Sequence, residues 1–148
     1  MGKLDKKTAI ITGGGKGIGY GLARAFAREG ANLVLTGRTL SRLEAAKEKL
    51  EAEFGVKVLP IVADGADEAA IANVVSEAVK TFGHIDVLVN NAQVSKSGVM
   101  LKDHTKEDFD LAIYSGLYAT FFYMRACYPY LKESKGSVIN FASGAGLF

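Results

Sequence analysis

A glycine-rich turn between an apolar strand and a helix is the most constraining feature of this chain. Residues 8–12 form a short β-branched run that suits a buried strand, and glycines follow at positions 13, 15, 17 and 19. Apolar residues at helical spacing begin at Leu22. A turn of this kind lets the backbone approach a pyrophosphate, which the free N–H groups at the helix start can bind. The segment therefore predicts a phosphate-binding turn.

The spacing of the glycines separates this turn from the commonest dinucleotide fingerprint. The pattern G-x-G-x-x-G fits no register of the stretch, whereas T-G-x-x-x-G-x-G fits with Thr12, Gly13, Gly17 and Gly19. A glycine turn alone can be purely structural. Its place between the first strand and a helix favours the nucleotide-binding interpretation.

Strands alternate with helices along the rest of the chain. We expect further strands at residues 31–36, 56–63, 85–90 and 137–142, each apolar on both faces. Ser41 with Glu44 fits a capping box for the second helix, and Asp67 and Thr105 are expected to cap the next two. This pattern predicts an α/β fold of the Rossmann type, a doubly wound parallel sheet of strand order 3-2-1-4-5.

Composition narrows the possible functions. A chain of 148 residues with 49% apolar and 23% charged residues suggests one globular domain. The net charge of +2 is spread along the chain, which argues against nucleic acid as a partner. His84 and His104 have no Cys or His at ligand spacing, so we expect no metal site. The single cysteine, Cys127, and the lack of a signal peptide or membrane-spanning run lead us to expect a cytoplasmic location.

The motifs at the strand ends together resemble one known family. Thr12-Gly13-x-x-x-Gly17-x-Gly19, Asp64, Asn90-Asn91-Ala92 and Ser143 occur in the order found in the short-chain dehydrogenase/reductase family. The pattern is most similar to the branch that contains the bacterial 3-oxoacyl-carrier-protein reductases. The resemblance implies hydride transfer between a nicotinamide cofactor and a ketone or secondary alcohol.

The same resemblance implies roles for individual residues. The glycines would cradle the pyrophosphate, Asp64 would bind the adenine amino group, and Asn90 would tie strand four to its neighbours. Ser143 would hydrogen-bond the substrate oxygen as charge develops on it. The cofactor-binding set expected in this way is Gly13, Gly15, Lys16, Gly17, Ile18, Gly19, Arg38, Asp64, Gly65, Asn90, Ala92 and Gln93.

The end of the second strand predicts which nicotinamide cofactor is bound. An NAD-binding site carries a carboxylate there, but this chain reads Thr36-Gly37-Arg38. Arg38 can bind the 2′-phosphate of NADP(H) through paired, charge-assisted hydrogen bonds, and Lys16 can reach the same phosphate. The expected cofactor is therefore NADP(H). Two solvated surface cations are the alternative interpretation.

Three positions depart from the family pattern. Gln93 replaces the glycine usual after Asn-Asn-Ala, and Gly65 replaces a common apolar residue after Asp64. Gly116 stands where the family carries a catalytic Asn that positions a water in the proton relay. We expect Ser115, or a water held by backbone groups, to replace that amide in part. Close helix packing is the other explanation for the glycine.

A Tyr-x-x-x-Lys pair, which the family carries a short way beyond the serine, is the missing part of the pattern. No tyrosine follows Ser143, and we expect none of the five tyrosines of the long helix to form such a pair. Residues 1–148 are therefore expected to be the NADP-binding domain of a longer reductase. This domain is expected to be incomplete, because its C-terminal strands would lie beyond Phe148. The rival expectation is a catalytically silent NADP(H)-binding sensor or scaffold.

The helix expected over residues 105–133 predicts self-association. Its inward stripe should be Phe109, Ala112, Ile113, Gly116, Leu117, Thr120 and Met124. Tyr114, Tyr118, Phe122 and Tyr123 then remain as additional aromatic surface. We expect a homodimer or homotetramer formed through this helix, with filling of the protein's own core as the alternative role for the aromatic residues.

Overall fold

Five parallel strands form the centre of the structure. A computed structural model describes residues 2–146. The strands are β1 (Thr8–Thr12), β2 (Asn32–Gly37), β3 (Val58–Val62), β4 (Val87–Asn90) and β5 (Ser137–Asn140). They lie in the order β3-β2-β1-β4-β5, and Ile11 of β1 pairs with Leu35 on one side and Val89 on the other. The strand order and the α/β class are as predicted.

Helices cover both faces of this sheet. They are α1 (Gly17–Arg28), α2 (Leu40–Phe54), α3 (Glu68–Phe82), α4 (Lys106–Ala112) and α5 (Ala119–Ser134). One buried cluster joins α1 and α2 to the sheet, and a second joins α3 and α5 to its other face. Alternate residues of β1 divide between the clusters, since Ile11 belongs to the first and Ile10 to the second.

Two of the three predicted helix caps are present. The Asp67 side chain accepts a hydrogen bond from the Ala70 N–H, and Thr105 forms a capping box with Asp108. The predicted cap at Ser41 is wrong. Helix α2 begins at Leu40 with Thr39 as its N-terminal cap, so Ser41 already lies inside the first helical turn.

The long helix is interrupted, which changes the face that it buries. A π-helical turn, Ile113–Tyr118, lies between α4 and α5. The predicted inward stripe is wrong, because Phe109 is 62% exposed and Leu117 is 67% exposed. The residues that are buried share a spacing of four: Ser115, Ala119, Tyr123, Cys127 and Leu131. A π turn holds one extra residue, and one residue corresponds to about 100° of rotation around a helix.

Cys127 lies at the centre of the interface between α5 and the sheet. Its side chain is fully buried in the second cluster, as expected of a packed thiol. Burial raises the pKa of the Cys127 thiol to about 12. The thiol therefore stays protonated at neutral pH.

We expect Cys127 to resist alkylation in the folded protein. The thiolate is the attacking species, and both its low population and its burial suppress the reaction. Labelling by iodoacetamide at pH 8 should be at least about 100-fold slower in native buffer than in concentrated urea, because unfolding restores an ordinary thiol pKa. Mass spectrometry of the alkylated protein measures both rates, and equal rates would contradict the buried position.

Candidate functional site

The carboxyl ends of β1, β2 and β4 open into one large cleft. Its volume is about 880 Å³, within the usual range for a site that holds a large ligand. Nine of the predicted site residues line it: Gly13, Gly15, Lys16, Gly17, Arg38, Gly65, Asn90, Ala92 and Gln93. The parallel topology brings these residues together, because the carboxyl ends of parallel strands all lie at the same edge of the sheet.

The glycine turn is shaped by close backbone contacts. Gly13 has φ = +66°, a conformation that L side chains rarely adopt. A Cβ added at Gly19 would collide with the carbonyl oxygen of Gly13. The turn therefore folds back on the first residues of α1, and a side chain at either glycine would open it.

The start of α1 suits an anionic ligand. Lys16 precedes the helix without capping it, and the first turn carries no acidic residue. The early N–H groups of a helix have no partner within the helix, and the helix dipole places partial positive charge there. A phosphate group is the matching ligand for this end of the cleft.

Thr12 connects the glycine turn to the loop after β4. Its hydroxyl oxygen accepts hydrogen bonds from the Asn91 N–H at 3.0 Å and from the Ala92 N–H at 2.9 Å. The Asn91 side-chain amide donates in return to the Thr12 carbonyl at 3.2 Å. The two sequence motifs are thus held together through one buried threonine, a contact that the motifs alone did not predict.

The wall of the cleft beside β2 is positively charged. Arg38, Arg42 and Lys16 line the cleft, and no Asp or Glu is among its lining residues in the part of the chain that the structure describes. Sequence interpretation missed Arg42 and the neighbouring Thr39. Arg42 falls in the first turn of the helix that follows Arg38, where a single arginine gives no distinctive sequence pattern.

Five predicted residues lie outside the lining of the cleft. Ile18 is exposed, and Gly19 is buried beneath the turn. Asp64 accepts a hydrogen bond from the Ala66 N–H at 2.9 Å in an exposed turn. Ser143 follows β5, where its hydroxyl accepts from the Ala145 N–H at 3.1 Å. Gly116, in the π turn, is the fifth. Their predicted roles stay predictions.

Asn90 links two neighbouring strands at the same edge. Its side-chain amide donates to the Asn140 side-chain oxygen at 2.8 Å. Since Asn90 ends β4 and Asn140 ends β5, this bond fixes the distance between the two strand ends.

The π turn contacts the loop after β4 through Ser115 and Gly116. The buried Ser115 hydroxyl accepts from the Val94 N–H at 2.8 Å and donates to the Val94 carbonyl at 2.9 Å. Its only proton is therefore committed to the backbone. A Cβ added at Gly116 would approach only Gln93, whose Cγ would be 3.4 Å away. Close packing against another helix thus does not account for this glycine.

One Tyr-x-x-x-Lys spacing does occur, contrary to our expectation for the long helix. Tyr128 and Lys132 are four residues apart in α5, but Tyr128 is 63% exposed and neither residue lines the cleft. Tyr123 does line the cleft, yet burial raises the pKa of Tyr123 to about 12 and Cys127 follows it at the fourth position. Within residues 2–146, no tyrosine–lysine pair faces the cleft.

Residues 2–146 contain no group of three or more His, Cys, Asp or Glu side chains placed to hold a metal ion. None of the helices described is both long and apolar enough to cross a membrane.

Comparison with known proteins decides the family. Residues 7–148 match the family described as short chain dehydrogenase. This chain belongs to that family. It is 61% identical to a 12α-hydroxysteroid dehydrogenase from Clostridium sp., an alignment that covers 100% of this chain and 60% of the relative.

Solved structures show the same fold. L-Sorbose reductase from Gluconobacter frateurii, complexed with NADPH and L-sorbose, is 34% identical with a TM-score of 0.90, covering 97% of this chain and 54% of that one. An NAD⁺-bound xylitol dehydrogenase is 29% identical with a TM-score of 0.91, covering 98% and 56%. The chain therefore spans a little over half the length of these relatives. The finer assignment to the 3-oxoacyl-carrier-protein reductase branch stays a prediction.

Replacement of Thr12 by Val should destabilise the domain. The variant keeps the shape of the side chain but leaves the Asn91 and Ala92 N–H groups without their acceptor, at a cost of roughly 2–4 kcal/mol in the free energy of unfolding. Thr12→Ser, which keeps the hydroxyl and loses a methyl group, should cost about 1 kcal/mol. Urea unfolding followed by circular dichroism measures both. A Val variant as stable as the Ser variant would show that the two hydrogen bonds contribute little.

Proposed function

We propose that this chain provides the cofactor-binding half of an NADP(H)-dependent oxidoreductase acting on a ketone or secondary alcohol. The observation that carries the choice of NADP(H) is the positive charge of the cleft, which is lined by Arg38, Arg42 and Lys16. Paired guanidinium donors match a 2′-phosphate, whereas an NAD-binding site presents a carboxylate at this place.

The residues that line the cleft fit the phosphate groups of such a cofactor. The glycine turn and the start of α1 would hold the pyrophosphate, the arginines the 2′-phosphate, and Asp64 the adenine amino group. The bound nicotinamide would supply or accept the hydride. Asn90 and the loop at residues 91–95 would form the wall beside it, and Ser143 would donate a hydrogen bond to the substrate oxygen.

Sequence identity to the relatives supports a steroid alcohol or ketone as the substrate in preference to a sugar. The hydroxysteroid dehydrogenase from Clostridium is 61% identical, against 34% for L-sorbose reductase. Both relatives act on molecules that carry secondary hydroxyl or ketone groups, which is the broader substrate class proposed. A cytoplasmic location is part of the same proposal, and the single free cysteine, Cys127, agrees with a reducing compartment.

We further propose that residues 1–148 form one domain of a longer protein. This chain spans only a little over half the length of the relatives described above. In addition, all four residues of β5, the edge strand of the sheet, are exposed. Val138 and Ile139 of β5 are apolar residues in this exposed position. A following strand and helix would cover them and would also bring the tyrosine–lysine pair that the family pattern requires.

A catalytically silent NADP(H)-binding protein is the second candidate. Gly116 favours it, because the position normally occupied by a catalytic amide has no side chain. The enzyme is preferred because Ser143, the residue to which the family resemblance assigns the substrate oxygen, is present shortly after β5. Both candidates are expected to bind NADP(H), but only the enzyme is expected to turn over a ketone or alcohol substrate.

Self-association through α5 is also proposed. An exposed apolar stripe runs along this part of the chain through Leu117, Phe121, Met124 and Tyr128. This stripe differs from the aromatic surface expected from sequence, since Tyr123 is buried in the core. Tyr114 and Tyr118 are partly exposed and stack on one another with ring centroids 4.8 Å apart. Such a surface suits a second copy of the protein in a dimer or tetramer.

Arg38→Ala should separate the two nicotinamide cofactors. The variant is expected to lose roughly 1.5–3 kcal/mol of NADPH binding while NADH binding stays nearly unchanged, because only NADPH carries the 2′-phosphate. Arg28→Ala, at the far end of α1, is the matched control and should leave both affinities unchanged. Titration calorimetry measures the dissociation constants. Equal losses for NADPH and NADH in Arg38→Ala would reject the assignment.

The size of the intact protein tests the two structural proposals together. We expect a subunit mass above the 15.7 kDa of this sequence and an assembled mass of two or four subunits. Intact-mass spectrometry gives the first value, and light scattering on a sizing column gives the second. A soluble 15.7 kDa protein that oxidises NADPH with a ketone would overturn the longer-chain proposal. A strictly monomeric mass at micromolar concentration would reject self-association.

A further inference from the structure

Two consecutive residues of the loop after β4 contact two consecutive residues of the π turn. Val94 exchanges both backbone hydrogen bonds with the Ser115 hydroxyl. Gln93 lies over Gly116, with its Cγ 3.4 Å, its Cδ 3.8 Å and its Nε2 4.0 Å from where a Cβ at position 116 would be. The Gln93 side chain thus extends across the place that a residue-116 side chain would use.

The carboxamide of Gln93 is free to bind a ligand. Gln93 lines the cleft, and within residues 2–146 its side-chain amide makes no hydrogen bond, whereas other amides at the sheet edge are engaged. Asn90 is bonded to Asn140, and Asn91 to Thr12. Residues 105–134 contain no Asn or Gln, so the helix itself supplies no amide.

Ser115, which we expected to replace this amide in part, has its hydroxyl engaged with the Val94 backbone. Its hydroxyl is buried and its single proton is donated to the Val94 carbonyl. Its effect is to fix the backbone of the residue next to Gln93. A serine in this position therefore holds the loop that carries Gln93 in register with Gly116.

We propose that Gln93 presents to the reacting end of the cleft the carboxamide that position 116 lacks, and that Gln93 and Gly116 form a coupled pair. This inference rests on the proposed function, since it assigns a positioning residue to that reaction. A carboxamide offers an acceptor oxygen and a donor NH₂ within one group. It can hold a water or a substrate hydroxyl by both and so fix the path along which a proton reaches the substrate oxygen.

The first test replaces the amide without changing the length of the side chain. In the full-length protein, Gln93→Met should lower kcat for ketone reduction by about 10- to 100-fold, toward the lower end of proton-relay contributions. The dissociation constant for NADPH should change much less than kcat, since a Met side chain fills the same space beside the cofactor. The pH dependence of kcat should shift as well, which a purely structural role would not cause. Lys96→Met, on the same loop but outside the cleft lining, is the matched control.

The second test exchanges the two side chains. Gly116→Asn alone should lower kcat, because the added side chain meets Gln93. The double variant Gln93→Gly with Gly116→Asn should recover most of the activity lost in Gln93→Gly alone, since the amide then comes from the helix. Circular dichroism of each variant verifies that the fold is retained.

The outcomes separate failure of this inference from failure of the proposed function. Wild-type kcat in Gln93→Met, or a double variant no better than Gln93→Gly, would overturn the coupled pair while ketone reduction by the unaltered protein stands. If the unaltered full-length protein binds NADPH but reduces no ketone, the proposed function fails and this inference fails with it.

Discussion

The hydrogen bonds accepted by the Thr12 hydroxyl hold the two halves of the cleft together. Strands β1 and β4 are far apart in sequence but adjacent in the sheet, and their carboxyl ends carry the glycine turn and the loop at residues 91–95. Two backbone N–H groups of that loop point at one buried oxygen. Because a buried donor without an acceptor costs free energy, the loop has one favourable position beside the turn. The shape of the cleft depends on that position.

The sheet could be predicted because each of its strands carries a local signal. Continuous apolar runs bounded by turn residues indicate buried parallel strands, and right-handed crossovers leave few possible orders. The glycine-turn end of the cleft was predictable for the same reason, since Gly13 and Arg38 each directly follow a strand and Asn90 is the last residue of one. Arg42 escaped prediction because it belongs to a helix start, where a single arginine gives no distinctive pattern.

The long helix could not be predicted in detail because the π turn has no sequence signature. An ordinary helical period over residues 105–133 places Gly116, Thr120 and Met124 inward, but the extra residue moves burial to Ser115, Ala119 and Tyr123. Tertiary contacts account for the difference. The Ser115 hydroxyl forms hydrogen bonds with both the N–H and the carbonyl of Val94. These bonds stabilise the π turn, because it is the π turn that brings Ser115 inward.

The proposed pairing of Gln93 with Gly116 would let the family motif change at two positions and still keep one carboxamide beside the cleft. A catalytic amide is defined by where its oxygen and nitrogen lie, and that place can be reached from a helix or from the facing loop. Here the helix contributes Gly116 and the loop contributes Gln93, whose side chain covers the vacated space. Gly116 alone removes an amide, and a side chain longer than a methyl group at position 116 would extend toward Gln93. Taken together, Gln93 and Gly116 keep one carboxamide beside the cleft, supported by the neighbouring bond between Ser115 and Val94.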